Sequence, residues 1–413
     1  MIGFILLFTI LNQNVFFTLM ALLGTSYSGI DDSPLYVISV VGLDIISCLY
    51  IFFYEILNYK KAKGSIKWYF IPLIFFILYM FNVAFPYSTG NDDSSILFRN
   101  FIVFSIPSIA IGNFCYRYEK MNLLLKNIDI MVLLMTLGVL RAMPQMFFLG
   151  EFSIGGATYQ TLSYVSAFSF GLNLCNILGA SDEIRYPFFR SSVYQIFSII
   201  LLFVQILGVL ISGGRGGMVL LLLNAVMLLY YLGKQHIKKM FLFLIVFLPL
   251  SYLAVSNISY SGISDFIDRG VNRIFSYVSS SGIDMTETSG RDIVYETAIE
   301  CIEEKPLLGH GLFQQYDLIK SKSGNPYCHN IFLEVLLQGG IIYLIVFISL
   351  MLFLLKKMMI IIKKKSEYSL IPLFMYPATM LLFSGTYITC SLFWFILSYV
   401  LSSDRRKILN KTK

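Results

Sequence analysis

The apolar runs of this chain are too long and too continuous for the interior of a water-soluble domain. A helix that crosses a bilayer needs about 20 apolar residues in succession. Runs of roughly that length recur at 3–23, 35–57, 68–85, 98–115, 128–149, 162–180, 194–212, 217–233, 239–256, 330–355, 369–386 and 388–402. A membrane barrel would instead alternate apolar and polar residues along each strand. With 57% hydrophobic and 13% charged residues, the expected fold class is all-α, a polytopic membrane protein of about twelve transmembrane helices.

Lysine and arginine orient such a chain, because they collect in its cytoplasmic loops. With the N-terminus on that side, the inward segments hold Lys60, Lys61, Lys63 and Lys67; Arg117, Lys120 and Lys126; Arg185 and Arg190; Lys234, Lys238 and Lys239. Lys356, Lys357, Lys363, Lys364 and Lys365 follow, then the tail with Arg405, Arg406, Lys407, Lys411 and Lys413. The outward loops carry Asp31, Asp32, Asp92, Asp93 and Glu151. Both termini are thus expected in the cytoplasm. The net charge of +7 reads as topology, and no basic, aromatic-bearing soluble domain is present to bind nucleic acid. The first run lacks a basic leader and is interrupted by Asn12-Gln13-Asn14, so it does not resemble a cleaved signal.

One connection differs from the rest. Residues 1–256 read as nine membrane helices, 257–328 as one large extracytoplasmic loop, and 329–413 as three further helices with a basic tail. The loop looks ordered. "ISDFIDRGVNRIFSYV" sets Ile263, Phe266, Ile267, Val271, Ile274, Phe275 and Val278 on one helical stripe. Ser289-Gly290-Arg291-Asp292 resembles a capping box opening a second helix that Lys305-Pro306 closes. Of the six cysteines, Cys301 and Cys328 share this loop and could pair; the chain has no C-x-x-C.

Several polar residues sit where burial or membrane depth makes them costly. Arg215, within "ISGGRGG", reads as a snorkelling cation or as an anion site formed with the bare amides of the following helix. Arg291 opens a helix, where its charge opposes the macrodipole unless an anion is shared there. Arg269 and Arg273 lie four apart, a solvated face or a substrate contact. Arg141 falls inside a span before Pro144, as a functional cation or as the partner of Asp44 or Asp129. His310 lies in a glycine turn, and His329 stands where the chain re-enters the membrane, placed to act as a general base. Asn330 and Glu334 follow one helical turn apart. The chain has no D-x-D pair, no P-loop and no G-x-S-x-G elbow, so neither a metal site nor a cofactor is expected.

Three stretches taken together resemble the O-antigen polymerase and ligase family of bacterial polytopic glycosyltransferases. They are "ISGGRGG" (211–217), "SGRDIVYETAIECIEEKPLLGHGLF" (289–313) and "HNIFLEVLLQGGIIYLIVF" (329–347). The resemblance implies a GT-C-like scaffold in the bacterial cytoplasmic membrane. It also implies metal-independent, inverting glycosyl transfer at the outer face from an undecaprenyl-diphosphate-linked glycan. His329 would be the base, with Arg215 and Arg291 on the diphosphate. Asn330, Glu334, Arg269, Arg273, His310 and Arg141 are the further substrate-contact candidates. Expected partners are the lipid-linked glycan, the bilayer, a flippase and a chain-length regulator. Polymerisation of repeat units is the favoured reading; ligase-type transfer of finished glycan and lipid-linked oligosaccharide flipping are the alternatives.

Overall fold

The computed structural model describes residues 1–23, 34–58, 60, 70–84, 93–149, 159–178, 183–232, 291–324, 327–365 and 367–403, with single positions between 237 and 249 and residues 278–279 and 282–283. The chain divides into two compact units. One comprises Met1–Val40, Asn122–Asp284 and Lys365–Thr379; the other comprises Val41–Met121, Met285–Lys364 and Met380–Lys413.

The described residues are overwhelmingly helical. Among them, six helices are long and apolar enough to cross a membrane: Ile38–Asn58, Ser95–Arg117, Met121–Pro144, Ser192–Ser212, Arg215–Leu232 and Ile331–Lys363. The expected single span at 3–23 is broken at Leu11 into two helices bent by 100°, which together make a seventh crossing if counted as one. The expected spans at 369–386 and 388–402 appear as Leu370–Phe383 and Ser391–Leu401. At 1.5 Å per residue these are about 21 and 16 Å long, short of a hydrocarbon core of about 30 Å. The expected span at 239–256 lies largely outside the described residues. So does the amphipathic stripe at 263–278, except Val278. That residue pairs with Ile283 in a short antiparallel hairpin and is not helical.

In the first unit, helix Tyr159–Ile177 is central and buried on nearly all sides. It packs against Ile128–Leu149, Ser192–Ser212 and Arg215–Leu232. Burial all round requires small residues and satisfied polar groups. Ser163, Ser166, Ala167 and Ser169 supply the former. Among the latter, the Asn173 amide donates to the Ser198 carbonyl (2.9 Å), and the Gln205 amide to the Thr136 hydroxyl (2.7 Å). At one end of this bundle Arg185, one of the inward cations, is buried. Its Nε and Nη2 each lie 2.8 Å from a carboxylate oxygen of Asp129. Asn176 closes the cluster by donating to Asp129 (3.0 Å) and accepting from Arg185 (3.2 Å) through its carbonyl.

In the second unit, span Ser95–Arg117 contains one π turn, Phe101–Ser105. The Ile106 amide reaches back to the Phe101 carbonyl; Pro107 has no amide to donate, so the regular ladder cannot continue through it. Helix Ser391–Leu401 packs on Ile106–Arg117, joined by Ser398 Oγ to the Ile109 carbonyl (2.7 Å) and by the Asn113 amide to Ser402 Oγ (2.7 Å).

Candidate active site

The Arg291 helix runs from Arg291 to Glu304, as the sequence pattern required. Its Val294, Ala298 and Cys301 are buried in one cluster with Ile319, Cys328 and Leu337, and Leu333 packs against it. Leu333 and Leu337 belong to the long helix Ile331–Lys365, so the two helices lie side by side. The long helix is not continuous. Gly339 (φ −139°) and Gly340 (φ 61°, ψ −162°) break it into an eight-residue opening segment and a long span.

The loop Pro306–Gly311 docks into that break. The His310 amide donates to the Leu337 carbonyl (2.8 Å), Gly311 to Gln338 (2.8 Å), and Ile341 to the Pro306 carbonyl (2.9 Å). Backbone groups freed at the break are thereby paired again. Gly340 is required twice over: its φ is left-handed, and a Cβ would sit 2.3 Å from the Leu307 carbonyl carbon. The Pro-Leu-x-Gly-x-Gly motif and the paired glycines, read separately in the sequence, are one joint.

At the other end of these helices stand Arg291 and His329. Burial is the main cause that lowers the His329 pKa from 6.5 to about 4, and the Arg291 charge lowers it further. The imidazole is therefore neutral at neutral pH. Its Nδ1 is buried and makes no hydrogen bond. His329 has φ 51°, a left-handed value that histidine tolerates at some cost, and the Tyr327 ring meets it edge-on at 6.3 Å. Asn330 caps the helix that follows, its side-chain oxygen accepting from the amides of Phe332 (2.9 Å) and Leu333 (3.3 Å). Two helices thus present their N-termini on one side, with a permanent cation at the start of one and a neutral imidazole just ahead of the other. This is a favourable setting for an anion whose charge grows during a reaction.

Other candidates fall elsewhere. Glu334 is 3% exposed and accepts from the Gln338 amide (3.3 Å) and the Thr386 hydroxyl. Gln338 in turn accepts from the Tyr387 hydroxyl. Gln338 lies one helical turn from Glu334, but Thr386 and Tyr387 could not be foreseen around it, since they lie about fifty residues further along. His310 is buried, and its Nε2 lies 2.6 Å from the Cys301 carbonyl. Cys301 and Cys328 are free thiols in the same core, and burial raises the pKa of both. Arg141 is exposed on helix Ile128–Leu149; Asp129, one partner considered for it, is held by Arg185 instead. Arg269 and Arg273 lie outside the described residues.

Arg215 belongs to the first unit and is half-buried at the first position of helix Arg215–Leu232. Gly213 closes the preceding helix in the left-handed conformation (φ 65°). Gly216 and Gly217 are buried, and a Cβ on either would come within 1.9 Å of the Tyr164 hydroxyl or Ser163 Oγ. Ser163 also donates to the Gly214 carbonyl (3.0 Å). The glycines therefore serve the close approach of this turn to helix Tyr159–Ile177. The first intrahelical bond, Met218 to Gly214 at 3.1 Å, leaves the earlier amides of the new helix beside Arg215 outside its ladder.

The long apolar helices are those of a multi-pass membrane protein. Residues 199–348, just over a third of the chain, match the family model Wzy_C, O-antigen ligase. The match supports the O-antigen polymerase and ligase family that the residues resemble, and indicates activity of the O-antigen ligase or polymerase type. It spans Arg215, Arg291, His310, His329, Asn330 and Glu334. No curated protein and no solved structure matches the chain.

Proposed function

We propose that this chain polymerises undecaprenyl-diphosphate-linked oligosaccharide repeat units into a surface polysaccharide, by metal-independent, inverting glycosyl transfer at the outer face of the bacterial cytoplasmic membrane. The observation that carries the reading is His329, held neutral with an unsatisfied ring nitrogen, beside Arg291. The imidazole takes the proton of an acceptor sugar hydroxyl. That oxygen forms a bond to the anomeric carbon of the donor, and the bond from that carbon to the diphosphate breaks. The departing diphosphate keeps the electron pair, and its charge is met by Arg291 and the helix N-termini beside it; the family resemblance adds Arg215 as a further cation for the donor. Arginine can supply this charge stabilisation without a divalent ion.

The family description favours a second reading, transfer of a finished glycan to an acceptor, which uses the same chemistry on a different hydroxyl. The glycan profile of cells lacking the chain separates the readings. Lipid-linked single repeats with no ladder mean a polymerase. Long lipid-linked polymer left unattached means a ligase, and repeats trapped on the cytoplasmic side mean a flippase.

A further inference from the structure

We propose that His310 is a positioning residue for this transfer, resting on the function proposed above: it clamps the far ends of the two helices that carry Arg291 and His329, and so fixes the approach of those two groups. The Cys301 carbonyl belongs to the last turn of the Arg291 helix, where carbonyls have no intrahelical partner. A carbonyl can only accept, so the 2.6 Å contact requires that His310 Nε2 carries the proton. The same residue's amide donates to the Leu337 carbonyl in the last turn before the Gly339–Gly340 break. One residue thus bonds the C-terminal ends of both helices. Their N-terminal ends are close enough for the Arg291 charge to act on the His329 ring.

The helices between clamp and site are short and stiff. The Arg291 helix has 14 residues, about 21 Å, and the opening segment of the long helix has eight, about 12 Å. Side by side and running the same way, they transmit a rotation at the clamp to their other ends. Apolar packing through Val294, Ala298, Cys301, Leu333 and Leu337 holds the helices together, and the two directed hydrogen bonds of His310 fix where their ends meet. His310 is 5% exposed and distant along both helices from the reacting groups, so it acts through them and not on substrate.

The test uses the full-length chain in lipid nanodiscs with an undecaprenyl-diphosphate-linked repeat as donor. Two variants are read with the wild type: His310→Ala, and His310→Gln, whose amide keeps an N–H donor at similar reach. Selective labelling resolves His329 by NMR, since the chain has three histidines. His310→Ala is expected to lower kcat on the order of 100-fold, the cost of about 1 Å of misplacement, with a much smaller change in KM. It should also move the His329 titration upward from about 4, as Arg291 and the covering side chains shift. His310→Gln should restore both. Gly340→Ala disturbs the clamp from the opposite side and should reproduce the alanine signature. The proposal is overturned if His310→Ala loses activity only in proportion to folded protein, with the His329 titration unmoved, or if glutamine fails to rescue. Should the wild type transfer no glycosyl group at all, the proposed function fails, and the titrations still decide the clamp.

Discussion

Acidification distinguishes His329 from an ordinary interfacial histidine. With the usual pKa of 6.5, about nine-tenths of the rings would be protonated at pH 5.5; with a pKa near 4, about 3% would be. A base with the lowered value keeps more than nine-tenths of its activity at pH 5.5, whereas the ordinary one keeps about a tenth. The same shift acts on stability. The unfolded chain binds the proton at 6.5 and the folded chain only near 4, so stability falls as pH drops through that window and levels off below it. Arg291→Gln removes the smaller of the two causes and leaves burial in place, so the titration should climb only part of the way to 6.5. The assay is the rate of glycosyl transfer from pH 4 to 8, paired with an NMR titration of the selectively labelled imidazoles. An acid limb near 6.5 in the wild type would refute the argument that burial and Arg291 together hold the ring neutral.

Further outcomes follow from individual contacts. Asn330→Ala should cost about 1 kcal/mol in thermal stability through the lost helix cap, and Asn330→Asp should recover it; a loss of activity without loss of stability would make Asn330 a substrate contact instead. Asp129→Asn leaves Arg185 buried beside a neutral amide and should destabilise by roughly 3–5 kcal/mol, read as a lowered unfolding temperature in detergent. Gly217→Ala should cost about 1–3 kcal/mol from overpacking against Ser163, with reduced yield of folded protein as the readout. Arg215→Ala should leave the fold intact and lower the transfer rate about 10²–10³-fold; an unchanged rate would return Arg215 to the role of an interfacial cation.

What the sequence disclosed was what depends on local pattern. The apolar runs marked most helices, and the Arg291 helix begins and ends where its polar start and Lys305-Pro306 require. What it hid depended on distant partners. The glycines around Arg215 also fit Ser163 and Tyr164, about fifty residues upstream, which no local pattern announces. Arg185 looked like one more cation in a basic loop, because nothing local announces a carboxylate at position 129. His310 stood in an evident turn, yet its role needs the carbonyls of Cys301 and Leu337 together. The helix cap made by Asn330 was not singled out in the sequence, because helix caps and site residues draw on the same amino acids. The spans expected at 369–386 and 388–402 came out short because Gly385 and the Tyr387–Thr389 turn take residues from both.

The most direct test is a reaction with purified components. The protein is reconstituted in nanodiscs with an undecaprenyl-diphosphate-linked repeat unit as both donor and acceptor, in the presence of a divalent-metal chelator, and the glycolipids are resolved by length. The expected result is a ladder of lipid-linked polymers from the wild type, and none from His329→Ala or Arg291→Ala at equal amounts of folded protein. A wild type that forms no glycosidic bond under these conditions, or a His329→Ala variant that builds the full ladder, would contradict a glycosyl transfer run by a neutral histidine beside an arginine.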